Sequence, residues 1–131
     1  MNKQAFPLVY SCSGCSQVAQ LANRIAVYLD RNNLAEMSCI AGIGGQVKPL
    51  MRLARSGRPI LVIDGCPLKC AQRSLNIIDV TEDHYILLSE FGLKKHCDEE
   101  YEDELDEMVE KIKHDFLDKL IPLHSLDEAG K

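Results

Sequence analysis

The sequence predicts an α/β domain, a three-layer sandwich in which a mainly parallel sheet of four or five strands has helices on both faces. Short apolar segments alternate along the chain with longer segments whose apolar residues recur every three or four positions. The strongest apolar segment, residues 59–64 (PILVID), is typical of a strand that is covered on both faces. Alternation of this kind predicts parallel strands joined by right-handed crossovers, and 131 residues fit one domain.

The first half of the chain predicts two strands and two helices. Residues 6–11 (FPLVYS) form a short apolar segment, and a helix follows that ends before Asn32. The apolar face of this helix consists of Val18, Leu21, Ala22, Ile25, Ala26 and Leu29. We expect a second strand over 37–41, a glycine-rich loop over 42–45 and a helix over 47–55.

The second half continues the alternation. A helix is predicted from Cys66 to about Ile77, with Pro67 in its first turn. Residues 77–91 allow two interpretations, a hairpin or a helix end followed by a single parallel strand over 84–89, and the regular alternation favours the parallel strand. An acidic amphipathic helix is predicted over 98–120.

These elements divide the chain into three parts. We expect residues 1–96 to form an α/β core, residues 97–121 an acidic helix packed on the same domain, and residues 122–131 a tail. The core has a net charge of +4 and the remainder −9, so we expect a protein partner for the acidic helix, although such charge is often only a solvated helix face.

Composition excludes several classes of partner. Aromatic residues make up 5% of the chain, tryptophan is absent and no basic stripe is present, so nucleic acid is not an expected partner. No apolar segment approaches the ~18 residues of a membrane span, and the first apolar segment is too short for a signal peptide. We therefore expect a cytoplasmic protein whose six cysteines stay reduced.

Three of these cysteines are predicted to share one edge of the sheet. Cys12 follows the first strand, Cys39 lies near the end of the second and Cys66 follows the third. The carboxyl ends of parallel strands meet at one edge, where neighbouring strands are about 4.8 Å apart. The three thiols are therefore expected to approach a common point.

Two further cysteines extend this group. Cys70 lies four residues after Cys66, on the same face of the predicted helix, and Cys15 lies three residues after Cys12. Zinc binds thiolates at about 2.3 Å in a tetrahedron, and four protein ligands close a structural site. This favours a structural or sensory metal site over an enzyme. For Cys39 or Cys97 alone, simple burial is the more common explanation of a free cysteine.

Several segments resemble the DGC-domain family, which is described as zinc-binding. They are residues 9–14 (VYSCSG), 37–45 (MSCIAGIGG), 63–71 (IDGCPLKCA) and 88–95 (LSEFGLKK), within a similarity that covers about residues 6–95. The resemblance implies zinc ligation by four cysteines, which by position are Cys12, Cys39, Cys66 and Cys70.

The resemblance also ranks two further residues. It places Cys15 below the four cysteines, because the family often has a small residue there. His84 matches a histidine that is sometimes added to the family's ligands. His84 would reach the cysteine edge only if residues 77–89 formed a hairpin.

Other interpretations use the same cysteines. A thioredoxin-like protein would use Cys12 and Cys15 as a redox dithiol after a strand. An iron–sulfur cluster would be bound by the same cysteines as zinc, and a protein that carries metal or sulfur would use the same cysteines. Asp64 is expected to cap the helix that follows it rather than to act as an acid or base.

Overall fold

Four parallel strands form the central sheet. The structure is a computed structural model that describes residues 6–93 and 103–120. The strands lie in the order β2-β1-β3-β4, and every neighbouring pair is parallel. Their bounds are Leu8–Ser11 (β1), Glu36–Met37 (β2), Ile60–Asp64 (β3) and His84–Leu87 (β4). The predicted fold class is confirmed.

Within the described residues, five α-helices cover this sheet. They are α1 (Gln17–Arg31), α2 (Ile40–Gly44), α3 (Lys48–Ala54), α4 (Cys70–Ile77) and α5 (Asp103–Ile112). A 3₁₀ turn, Leu88–Phe91, follows β4, and α5 continues into a π-helical turn, Lys113–Leu117. The predicted apolar face of α1 is buried throughout.

Two apolar clusters separate the layers. On one face of the sheet, Val9 and Leu61 pack with buried residues of α1 and α5. On the other face, Tyr10 and Val62 pack with residues of α2, α3 and α4. Successive strand residues point to opposite faces, so both faces of β1 and β3 are buried under helices.

The strand order fixes where a site is expected. From β1 the chain crosses to β2 on one side, and it then returns past β1 to place β3 on the other side. In a doubly wound sheet, ligands bind outside the carboxyl ends of the strands at this point of reversal. Here that crevice lies between β1 and β3.

The predicted second strand, 37–41, is wrong in its extent. The strand covers only Glu36–Met37, and Cys39 is the N-cap residue of α2, which occupies most of the predicted glycine loop. The chain forms a helix here because a helical turn buries Ile43 against the sheet face that carries Tyr10.

The predicted start of the third long helix is also wrong. Helix α4 begins at Cys70, and residues 66–69 form a turn, so Pro67 is not in the first helical turn and Cys66 does not share a helix face with Cys70. Lys69, the N-cap residue, has left-handed backbone angles (φ 56°, ψ 45°), which interrupt helical geometry before Cys70.

Between residues 77 and 91, the single parallel strand is confirmed and the hairpin is wrong. The strand ends at Leu87, where the 3₁₀ turn begins. In the final helix, Met108, Val109 and Ile112 are buried as predicted. Cys97, residues 98–102 and the tail 122–131 lie outside the described residues. Across the described part of the chain, every helix is too short or too polar to cross a bilayer.

Candidate functional site

A cavity of about 220 Å³ opens at the carboxyl ends of β1 and β3, in the crevice that the strand order defines. Four cysteines line it, Cys12 and Cys15 from the β1–α1 segment and Cys66 and Cys70 from the β3–α4 segment. Asp64 is also among the lining residues, although its side chain is buried. The remaining lining residues are Ser13, Gly14, Ser16, Ala19 and Leu68.

Cys12 is the most firmly held of the four thiols. Its backbone N–H donates to the carbonyl of Ile63 (3.1 Å), which extends the pairing of β1 with β3 beyond Ser11. The N–H of Gly65 donates to Cys12 Sγ at 3.2 Å. Burial raises the pKa of the Cys12 thiol to about 11, because desolvation outweighs the stabilising Gly65 N–H. Cys12 is therefore a neutral thiol near pH 7.

Cys15 is exposed and lies just before α1. Gly14 precedes it with φ 149°, a backbone conformation that side chains rarely adopt. Ser16 then caps the helix, and its hydroxyl accepts a hydrogen bond from the N–H of Ala19 at 3.2 Å. Cys15 is thus placed beside the positive end of the α1 dipole.

Cys66 and Cys70 flank the turn before α4. Cys66 is half-buried, and Cys70 is exposed as the first residue of α4. The turn is supported by Arg73, whose Nε donates to the carbonyl of Leu68 at 2.7 Å. Helix α4 therefore presents its amino end, together with Cys70, to the cavity.

Asp64 caps α4, as predicted, although it lies six residues before the helix begins. Its Oδ1 accepts from the N–H of Ala71 (2.9 Å), and its Oδ2 accepts from the N–H of Gln72 (3.1 Å) and from the hydroxyl of Tyr85 (3.0 Å). Burial and the Asp64 charge raise the pKa of Tyr85, so the phenol remains a donor at neutral pH.

Gly65 allows the β3–α4 segment to pass directly against α1. A Cβ atom on Gly65 would lie 2.8 Å from the carbonyl carbon of Val18 and 2.9 Å from the backbone nitrogen of Ala19. Its carbonyl accepts from the N–H of Ser89 at 3.0 Å. The Asp-Gly-Cys triplet thus combines a helix cap, a close backbone contact and a thiol at the cavity.

Cys39 lies elsewhere. It is exposed at the amino end of α2 and lines a separate surface depression with Met37, Ser38 and Asp30, among others. It is not among the residues that line the thiol cavity. Of the five predicted ligands, the structure therefore brings together Cys12, Cys15, Cys66 and Cys70.

His84 begins β4, at the amino edge of the sheet and opposite the cavity. Its ring stacks on Phe116, with 5.3 Å between centroids and 7° between planes. Burial lowers the pKa of His84, and the charge of Asp115 opposes this shift. The geometry therefore assigns His84 to the packing of the last helix.

The thiols are not arranged as a finished metal site. Within residues 6–93 and 103–120, no three His, Cys, Asp or Glu side chains form a group that could hold a metal ion. The donor chemistry nevertheless fits a soft metal, because the described residues that line the cavity include four thiols and no basic side chain. A metal would require the thiols to move closer together.

Comparison with known proteins identifies the family of this chain. The family model described as the DGC domain matches residues 8–113. The chain belongs to the DGC-domain family. This DGC-domain chain is 60% identical over 96 residues to the "Anaerobic and virulence modulator AnvM" of Pseudomonas aeruginosa, a match that covers 73% of each chain. No solved structure matches it significantly.

Proposed function

We propose that this DGC-domain protein binds one zinc ion through Cys12, Cys15, Cys66 and Cys70 and acts as a metal-dependent sensor. The observation that carries the proposal is that these four thiols line a single cavity at the point of strand reversal. Four cysteine ligands are a common closed coordination set for zinc.

The electrostatics of the cavity favour a cation. Among the described residues, the ionisable groups that line the cavity are the four thiols and Asp64, and the charges of Asp64, Cys66 and Cys70 add to burial in raising the pKa of Cys12. Several thiolates would therefore repel one another unless a cation lay between them. The amino ends of α1 and α4, both adjacent to the cavity, offset part of the remaining negative charge.

Closure around a metal would involve the turn before α4. Pro67 and Leu68 in that turn are exposed, whereas Cys12 is fixed by Ile63 and Gly65. We propose that Cys66 moves towards Cys12 and Cys15, because an exposed turn loses little packing when it shifts.

A sensory role is favoured over a structural one by the two apolar clusters. Both faces of the sheet are covered by clusters of buried apolar side chains from the strands and the helices. Zinc-dependent folds differ, since without the metal they unfold. Metal loss would therefore change the thiol edge and leave the fold intact.

The name of the AnvM relative links that protein to anaerobic conditions and virulence. We propose an analogous regulatory role for this chain in the cytoplasm, where thiols stay reduced. Oxidation of zinc-bound thiolates would release the metal, which would make the site respond to oxygen or other oxidants.

A thioredoxin-like dithiol at Cys12 and Cys15 is less well supported. Both thiols line the cavity, but the raised pKa of Cys12 opposes the thiolate that such chemistry needs at that position. An iron–sulfur cluster would use the same four thiols and is distinguished by its colour.

Metal analysis of anaerobically purified protein tests the proposal. We expect about one zinc per chain, no visible absorption band and an intact fold after the zinc is removed with a chelator. A metal-free protein with all six thiols titratable under reducing conditions would contradict zinc binding. Stoichiometric iron together with a visible absorption band would show that the protein holds an iron–sulfur cluster and not zinc.

A further inference from the structure

We infer that Tyr85 is a positioning residue for the thiol site and that it acts through Asp64 on the first turn of α4, where Cys70 lies. The inference concerns the chain's own hydrogen bonds, and it rests on the proposed function only for the statement that the positioned thiols bind a metal.

The carboxylate of Asp64 is held from two directions. The N–H groups of Ala71 and Gln72 donate to it from α4 at 2.9 and 3.1 Å. The hydroxyl of Tyr85 donates to the same Oδ2 atom as Gln72, at 3.0 Å, from the neighbouring strand β4. Asp64 is only 1% exposed, so water does not readily replace a lost donor.

Tyr85 reaches Asp64 because β4 extends the sheet beyond β3. Tyr85 pairs with Val62, and its ring packs in the apolar cluster on the α4 face, with Ala71 and Leu75. The ring is thus anchored by the sheet and by the helix, which fixes the position of its hydroxyl. The phenol thereby joins β4 to the amino end of α4 through one buried carboxylate.

This connection matters most for Cys70. Cys12 has its own anchors in Ile63 and Gly65, whereas Cys70 is exposed and precedes Ala71 directly. Without the phenol, Asp64 would keep the N–H groups of Ala71 and Gln72, but its carboxylate would lose its connection to β4 and could shift together with the start of α4. The first turn of α4 would then fray, and Cys70 would sample positions away from the other thiols.

The test compares Tyr85→Phe with Tyr28→Phe. Tyr28 is a half-buried tyrosine about three turns along α1 from the end that borders the cavity, so its variant is a matched loss of a phenol hydroxyl. In the metal-free proteins, hydrogen exchange is followed at the backbone amides of Ala71 and Gln72. In the loaded proteins, Co²⁺ serves as the probe, and its affinity and visible spectrum are recorded.

For Tyr85→Phe we expect exchange at the Ala71 and Gln72 amides to be about tenfold faster, which is the effect of losing one hydrogen bond to a charged group. We expect Co²⁺ to bind about tenfold more weakly, with a shifted ligand-field band, as when a partner of a metal ligand is removed. Tyr28→Phe should change neither property. A general loss of stability would not shift the band.

An Asp64→Asn background tests whether Tyr85 acts through Asp64. In that background, Tyr85→Phe should have little additional effect on Co²⁺ affinity. Full additivity would overturn the inference, as would unchanged exchange and unchanged Co²⁺ binding in Tyr85→Phe. If the wild-type protein binds neither Co²⁺ nor zinc, the proposed function fails, and amide exchange alone then decides whether Tyr85 positions α4.

Discussion

Two neighbouring regions at the carboxyl edge of the sheet each contain an exposed cysteine. In the crevice between β1 and β3, Cys15 shares a cavity with three other thiols. After β2, on the other side of β1, Cys39 lines a separate depression. Both regions follow parallel strands, so a position at the edge is not enough to bring thiols together.

The difference arises from the direction in which the chain leaves each strand. The segments that follow β1 and β3 pass directly against each other, where Gly65 meets the backbone of α1 at Val18. After β2, a strand of two residues, the chain turns at once into α2. The crevice at the strand reversal is therefore the better place for a shared ligand.

The largest expected effect is the loss of zinc affinity when a thiol is removed from the crevice. Cys66→Ser should weaken zinc binding more than about 100-fold, because a coordinating thiolate is lost outright. Competition with a chromophoric zinc chelator measures the affinity. Wild-type affinity in Cys66→Ser would remove this thiol from the site and break the proposed ligand set.

A second prediction compares a glycine from each region. Gly65→Ala should destabilise the fold by about 1–3 kcal/mol, because its Cβ would clash with the α1 backbone. Gly44→Ala, in α2, should not destabilise it, since no atom lies within 4 Å of the added Cβ. Denaturant unfolding of the metal-free proteins measures both. Equal stability of the two variants would contradict the close packing of the crevice.

Much of this organisation follows from local sequence patterns. The apolar spacing from Val18 to Leu29 identifies α1, and the segment before Asp64 identifies β3, because periodicity reports burial directly. The strand order does not follow from periodicity. A sequence pattern that revealed β3 beside β1 would have predicted that Cys12 and Cys15 lie near Cys66. It would also have placed Cys39 apart from them.

The errors at Cys39 and Cys66 have a common cause. Cys39 lies within a predicted strand and Cys66 begins a predicted helix, yet at both places tertiary packing decides the backbone conformation. Burial of Ile43 turns the predicted glycine loop into α2, and the left-handed Lys69 delays α4 until Cys70. The sequence predicted that Asp64 caps the following helix, but it did not predict that the N–H groups of Ala71 and Gln72 donate to it.

A third prediction compares thiol reactivity in the two regions. The raised pKa of Cys12, about 11 against an ordinary 9.0, leaves about a hundredfold less thiolate at pH 8. A more basic thiolate is also a stronger nucleophile, which offsets part of the loss in thiolate concentration. Alkylation of the metal-free protein should therefore be roughly tenfold slower at Cys12 than at the exposed Cys39. Peptide mass spectrometry measures both rates. Equal rates would show that Cys12 is not desolvated.

The smallest predicted effect concerns the opposite edge of the sheet. Burial lowers the pKa of His84 in the folded protein below its ordinary 6.5, so below that pH the unfolded chain binds a proton more readily than the folded one. The stability that the neutral, buried His84 contributes is therefore present above pH 6.5 and is lost as the pH falls. His84→Gln should reduce the loss of stability between pH 7 and 5 and leave zinc affinity unchanged.

His114→Gln is the control on the helical segment against which His84 stacks: the side chain of His114 is 87% exposed, and its contact with Asp115 at 3.0 Å is the interaction that this variant removes. The two variants are compared by denaturant unfolding at several pH values. A drop in zinc affinity in His84→Gln alone would contradict the separation of the two edges, whereas an unchanged pH dependence would show that His84 is not desolvated.

Zinc titration of Cys15→Ser and Cys39→Ser under anaerobic conditions decides which of the two regions binds the metal. If the crevice between β1 and β3 forms the site, Cys39→Ser binds one zinc with wild-type affinity and Cys15→Ser binds it at least about tenfold more weakly. The reverse result, with Cys39→Ser impaired and Cys15→Ser unaffected, would contradict the ligand set that the cavity defines.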